Sequence, residues 1–343
     1  MQKHSFKNDY SELAHPEVLS ALAAVGNHQF EGYGLDEYSK KAEQLILKKI
    51  GKPSAAVHFI SGGTAANLVI ISSMLRPHES IIAPESGHIS THETGAIEAT
   101  GHKICTVKGE NGKVSVAEIE AVLKQHQDEH MVKPKMVFVS QSTEVGSIYS
   151  KAELTAISAC CKENDLYLHL DGARLGTAIH SPVSDMSYSQ LADLVDTFYI
   201  GGTKNGALCG EAIVICNEHL NKDFRYQLKQ KGGLMAKGAT LGIQFLTLFE
   251  NDLYEKLAVH ANEMALKLAK GFEELGYEFL SEPQTNQIFP ILPLEIAEKL
   301  SRQYGFYQWQ MVDDKHVVLR FVTSWATGKE VVDEFLKDLF VAK

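Results

Sequence analysis

Cysteine is scarce in this chain, with five residues in 343, an odd number and none in C-x-x-C spacing. That excludes a disulfide framework and gives no sign of a zinc ribbon. Basic charge is also short: 33 Lys and Arg face 43 Asp and Glu, a formal net charge of −10. A nucleic-acid partner is therefore not expected. No apolar run approaches the length of a membrane span, and the opening MQKHSFKNDYSEL has no apolar stretch like that of a secretory signal. Internal repeats, low-complexity tracts and a GxxxxGK[ST] phosphate loop are missing too. These absences lead to the expectation of a reduced, cytoplasmic, soluble protein with no membrane partner. The length and a hydrophobic content of 44% suit one large α/β domain and a smaller one.

Two stretches carry the chemistry. Leu166–Asp171 (LYLHLD) and Asp196–Gly202 (DTFYIGG) are rich in the aliphatic and aromatic residues of buried strands. Each leads into one strong polar group, Asp171 in the first and Lys204 in the second. Ligands of open α/β sheets bind beyond the carboxyl ends of the strands, so a carboxylate and an amine are expected in one crevice. A lysine can form a Schiff base with a carbonyl, and an aspartate can keep a pyridinium nitrogen protonated. Those are the two protein groups that pyridoxal phosphate requires. The competing reading is a buried ion pair or two unrelated surface charges.

The remaining chain supplies a setting. Val57–Ile60 reads as a strand, Ser61-Gly62-Gly63-Thr64 as a turn, and AANLVIISSML as a helix. Strand, glycine turn and helix start together make an anion cup from free backbone amides and the helix dipole. Ser80–Pro84, Lys103–Val107, Met136–Ser140 and Glu211–Cys216 are further strands, with helices at Val116–His126 and Leu154–Asn164. This alternation predicts a mostly parallel sheet. Leu35 to Ile50 keeps helical spacing and stops at Gly51, and Gln227–Ala239 reads as a basic, glycine-containing loop before the helix TLGIQFLTLF. Asn251 or Asp252 is placed to cap a helix running to Gly276. Short strands (YEFL, QIFPIL, HVVLRFV) and two helices then suggest an α+β unit. Arg320, amid HVVLRFV, is either an edge residue or a fork for a carboxylate. His88 and His92 lie four apart beside Glu93, but no third metal ligand stands at useful spacing. No metal site is assigned, and a metal hydrolase or a non-catalytic binding protein remain the readings from other classes.

With HLDGAR, GGTKNG, SGGTAAN and HISTHETGA in place, the chain resembles the threonine aldolase/β-eliminating lyase family nearly end to end. The resemblance implies a fold-type I PLP-dependent transferase-like α/β architecture. Its parts are a mostly parallel seven-stranded sheet in a large cofactor domain (1–250, with an N-terminal arm) and a smaller C-terminal α+β domain (251–343). It also implies a homodimer or homotetramer with shared active sites. By position, Lys204 is the Schiff-base lysine and Asp171 the pyridinium partner, Gly62, Gly63 and Thr64 hold the phosphate, and His88 stacks on the ring. Arg174 and Arg320 bind the amino-acid carboxylate, with Arg174 also at the cofactor, while Tyr33 and Lys237 approach a neighbouring subunit's cofactor. Two positions depart from the family: Asn8 stands where many relatives have a serine at the substrate carboxylate, and Glu144 where others carry a histidine near the substrate hydroxyl. The implied activity is cleavage of L-threonine or L-allo-threonine-type 3-hydroxy amino acids to glycine and an aldehyde, in the manner of a low-specificity L-threonine aldolase. His88, Glu144 or a water is the base. The alternative is another reaction of the same cofactor on a small L-amino acid: β-elimination, racemisation or transamination.

Overall fold

The computed structural model describes residues 4–343. Its central sheet contains β1 (Ala56–Ile60), β2 (Glu79–Pro84), β3 (Ile104–Val107), β4 (Lys133–Ser140), β5 (Tyr167–Asp171), β6 (Thr197–Gly201) and β7 (Glu211–Ile215). The spatial order is β1-β7-β6-β5-β4-β2-β3, and β7 alone runs antiparallel to its neighbours. The strands read as apolar runs because the sheet is covered on both faces. Along β4, Val137 and Val139 join one core with Leu168, Leu170, Phe198 and Val214. Met136 and Phe138 join another with Ile81, Tyr199 and Ile213. That alternation is the period of two expected of a strand.

Helix α1 (Glu37–Ile50) is stopped cleanly at both ends. Asp36 accepts the Ser39 amide at 2.9 Å, and Gly51 closes the helix in the left-handed region at φ 64°. Helix α2 (Gly63–Met74) starts at the glycine turn after β1, and α3 (Ala239–Glu250) packs along α1. The long α4 (Leu253–Glu274) serves two cores. Leu253, Tyr254 and Leu257 belong to the large sheet's core, whereas Met264, Leu268 and Phe272 belong to the C-terminal one. There β8 (Ile291–Pro293), β9 (Tyr307–Met311) and β10 (His316–Val322) form an antiparallel sheet in the order β8-β10-β9, covered by α5 (Lys329–Ala342). The start of the chain enters this second core. Phe6 is fully buried against Tyr304, Phe321 and Phe335; its amide donates to Gly305 O and its carbonyl accepts from Val322 N.

Several elements differ from expectation. YEFL makes an isolated bridge from Phe279 to Pro290, and QIFPIL splits into Gln287–Ile288 and β8, because Pro290 has no amide for a ladder. The expected basic loop begins as a helix, Phe224–Gln230, whose Phe224 and Leu228 are buried. Asp252 does precede α4, but at φ 55° and without a side-chain cap bond. The mostly polar YQWQM of β9 gave no alternating signal, since it is an exposed edge strand with a bulge at Trp309.

Candidate active site

Strands β5 and β6 pair in parallel, so their carboxyl ends open on one side of the sheet. Gly172 makes the approach possible: a Cβ there would land on the Tyr199 carbonyl. Asp171, which precedes it, is buried and takes three donors. Its Oδ1 accepts the Tyr199 hydroxyl at 2.5 Å and the Ala173 amide at 3.0 Å, and its Oδ2 accepts Asn67 Nδ2 at 2.9 Å. Burial opposes the charge, but the bonds from Asn67 and Tyr199, the field of His88 and the Ala173 amide outweigh it, holding the pKa below the usual carboxylate range.

Lys204 lies one turn beyond β6. Glu211, at the start of β7, holds that turn by accepting the Gly202 amide at 2.9 Å and the Thr203 hydroxyl at 2.8 Å. Burial, then the charge of Arg174, lowers the Lys204 pKa against the opposing pull of Asp9, Asp171 and Glu211. An amine that gives up its proton more readily is a better nucleophile. Burial in turn raises the Glu211 carboxyl to about 7 despite its hydrogen bonds.

Lys204 opens into a cavity of about 440 Å³ that His88, Glu144, Arg174 and Arg320 also line, with Tyr10, Tyr307 and Trp309 among its aromatic walls. Helix α2 begins nearby, since its Asn67 reaches Asp171. Gly62 caps the helix without a side-chain bond, and Ala66 N is the first amide turned back into it, bonded to Gly62 O at 3.0 Å. The amides of Gly63, Thr64 and Ala65 have no protein acceptor among the described residues, which leaves an anion cup beside the carboxylate.

The polar groups of the cavity are unevenly satisfied. Arg174 forks onto Asp9, with Nε 2.7 Å from Oδ2 and Nη2 3.0 Å from Oδ1. Burial works against the Asp9 charge, but Arg174, Lys204 and Asn286 hold its pKa down. Arg320 donates through Nη2 to Gln287 Oε1 at 2.7 Å, while its buried Nε has no partner. Burial and repulsion from Arg174 lower the Arg320 pKa to about 10. Glu144 Oε1 accepts the His88 amide at 3.0 Å and the Ser140 hydroxyl at 2.9 Å, and its buried Oε2 is unpartnered. Burial and the nearby Asp171 charge push this carboxyl toward its protonated form.

His88, Glu144, Arg174, Lys204 and Arg320 thus share one cavity, with Asp171 and the α2 start beside it. Three other candidates lie apart. Asn8 spends its amide oxygen on its own turn, accepting Tyr10 N at 3.1 Å and Ser11 Oγ at 2.9 Å. Tyr33 is 41% exposed at φ 61°, with Lys229 Nζ 4.5 Å from its ring. Lys237 is exposed in a groove with Leu22 and Phe30. His88 and His92 stand ring to ring at 5.5 Å, and among the described residues no group of three or more His, Cys, Asp or Glu gathers as a metal site.

The sequence reading passed over Asn67, Tyr199, Asp9 and Gln287, all buried around the site. For the first two a signal existed: a lone amide in the apolar helix AANLVII, and a hydroxyl in a strand buried on both faces.

A family model described as beta-eliminating lyase matches residues 14–293. The low specificity L-threonine aldolase of a Pseudomonas strain (NCIMB 10558) is 34% identical over 98% of this chain and 97% of its own. The solved structure of Leishmania major threonine aldolase is 46% identical and superposes with a TM-score of 0.97, covering 99% of this chain and 100% of that one. An aspartate aminotransferase of Thermus thermophilus shares the fold alone, at 13% identity and a TM-score of 0.70 over 100% of this chain and 92% of that one.

Proposed function

The chain belongs to the beta-eliminating lyase family, and on that footing we propose that it is a pyridoxal-phosphate-dependent lyase. Its reaction is cleavage of the Cα–Cβ bond of 3-hydroxy amino acids of the L-threonine and L-allo-threonine type, giving glycine and an aldehyde. One observation carries the reading: a half-buried amine of lowered pKa, just past one strand, and a buried carboxylate held ionised at the end of the adjacent parallel strand come together beside one cavity.

The residues present fit the cofactor. Asp171 is an ionised acceptor for a ring nitrogen, the Gly62–Thr64 turn offers unpaired amides to a phosphate, and Lys204 is the amine for an aldehyde. His88, which lines the same cavity, is assigned to the face of the ring. When bound, pyridoxal phosphate supplies an electron sink for the pair released at Cα. The protein's own part is positioning and proton handling. Arg320, with its free buried Nε, holds the substrate carboxylate, and Arg174 adds charge from a fork already fixed by Asp9. His88 is the base for the substrate hydroxyl, and Glu144, kept toward the neutral form, adds no charge that would oppose the departing proton.

Tyr33 and Lys237, which do not line this chain's own cavity, are assigned to a neighbouring subunit's site in a homodimer or homotetramer; sedimentation as a monomer would remove them. The five thiols are free and mostly buried, which supports a reducing, cytoplasmic setting. The test is direct. Purified protein supplied with pyridoxal phosphate is incubated with L-threonine, L-allo-threonine and L-serine. Glycine and acetaldehyde from the first two are expected. Pyruvate and ammonia, racemised substrate or a keto acid without aldehyde would overturn the aldolase reading.

A further inference from the structure

The imidazole in the cavity is tied to a carboxylate that the motif reading left without a role. Glu93 lies five residues beyond His88, with its side chain buried. Its Oε1 is 2.9 Å from His88 Nδ1 and 2.9 Å from Asn67 Nδ2.

Hydrogen-bond logic fixes the protons along this network. Asn67 Nδ2 faces two carboxylates, Glu93 and Asp171 at 2.9 Å each, and an amide can satisfy both only with its NH2 toward them. Its Oδ1 therefore accepts from His169 Nε2 at 3.1 Å, and His169 Nδ1 accepts from the Thr197 hydroxyl at 2.9 Å. Burial keeps His169 neutral, with a pKa of about 4, in agreement with one proton on that ring. At the other end, the second contact on Glu93 Oε1 is then the Nδ1–H of His88. The His88 ring lines the cavity, and its Nε2 has no hydrogen-bond partner among the described residues.

We propose that Glu93 is a positioning residue: it holds His88 as the Nδ1–H tautomer, so that Nε2 is the atom that takes the hydroxyl proton of the substrate. This rests on the aldolase reading of the same cavity. In the step, the substrate O–H bond breaks, its electron pair stays on oxygen, and the proton forms the Nε2–H bond. The imidazolium so created lies against a carboxylate whose Oε2 is buried and unpartnered, so the new charge meets an opposite one already in place. Glu144 is not equivalent. Its Oε1 is occupied by the His88 amide and Ser140, and burial with the Asp171 charge holds the carboxyl toward its protonated form. A carboxylate that fixes the tautomer and orientation of a working imidazole is a recurrent device.

Two readouts test this. Long-range proton–nitrogen correlation spectra of 15N-histidine-labelled protein, with the His88 signals assigned by their loss in His88→Asn, report the tautomer without any turnover. The expected spectrum has Nδ1 protonated and Nε2 bare near neutral pH. In kinetics with L-threonine, Glu93→Gln should lower kcat roughly 10- to 100-fold with KM little changed. In a His88→Phe background the same change should cost nothing further. An Nε2–H tautomer in the unsubstituted protein, an unaltered kcat in Glu93→Gln, or additive losses in the double variant would each overturn the assignment. The unsubstituted spectrum decides the tautomer even if Glu93→Gln fails to fold. An unsubstituted protein that leaves every 3-hydroxy amino acid intact would sink the aldolase reading instead.

Discussion

Arg320 stands on β10 between buried Leu319 and Phe321, facing the cavity rather than the core. With a pKa of about 10 it keeps its charge at neutral pH, and one of its donors is committed to Gln287 while Nε remains unpaired. A planar fork in that state matches a carboxylate in a way an ammonium does not. Arg320→Lys should therefore lower kcat/KM for L-threonine by about 1–3 kcal/mol, the worth of a charge-assisted hydrogen bond; an unchanged constant removes Arg320 from the site. Residues of this kind were legible in the sequence. Asp171, Lys204 and Arg320 are charges set in or directly after apolar runs, where burial demands a reason. Glu93 was not legible in the same way, because its role arises only where α2, the turn after β2 and the end of β5 converge. Arg174 was legible as a charge, but its fork onto Asp9 was not, since the partner lies 165 positions away.

The N-terminal arm behaves as a strap between the two cores. Phe6 is locked into the C-terminal core, and three residues later Asp9 pairs with Arg174 beside the large sheet while accepting from Asn286 at 3.0 Å. The carboxyl of Asp9 has a lower pKa folded than unfolded. Its contribution to stability is therefore fully present above the unfolded value, about 3.9, and is lost as pH falls through the lower folded one. Asp9→Asn should reduce unfolding free energy at neutral pH by about 3–5 kcal/mol, because it leaves Arg174 buried without its counter-charge. It should also flatten the loss of stability below pH about 4. Urea unfolding of both proteins across that range checks this, and parallel curves would mean that Asp9 is not what ties the arm down. The parallel strands of the sheet were readable because burial on both faces makes them continuous apolar runs. The arm and β9 were not, because an irregular tether and a polar edge strand carry no period.

For the whole molecule, the alternation of strand and helix through β7 gives the sheet, and the sheet delivers Asp171 and Lys204 to one side. The C-terminal unit then closes over that side, bringing Arg320 and the aromatic walls of Tyr307 and Trp309, with Tyr10 of the arm. Half of the cavity thus comes from the regular, sequence-legible part of the chain and half from the part whose strand breaks and edge pairing had to be seen. Everything in the functional account converges on the Lys204 amine, so the most direct measurement is chemical. The purified protein, supplied with pyridoxal phosphate, is reduced with borohydride, digested and mapped by mass spectrometry. The account predicts a single pyridoxyl label, on the peptide that contains Lys204. A label on another lysine, or none, would contradict it.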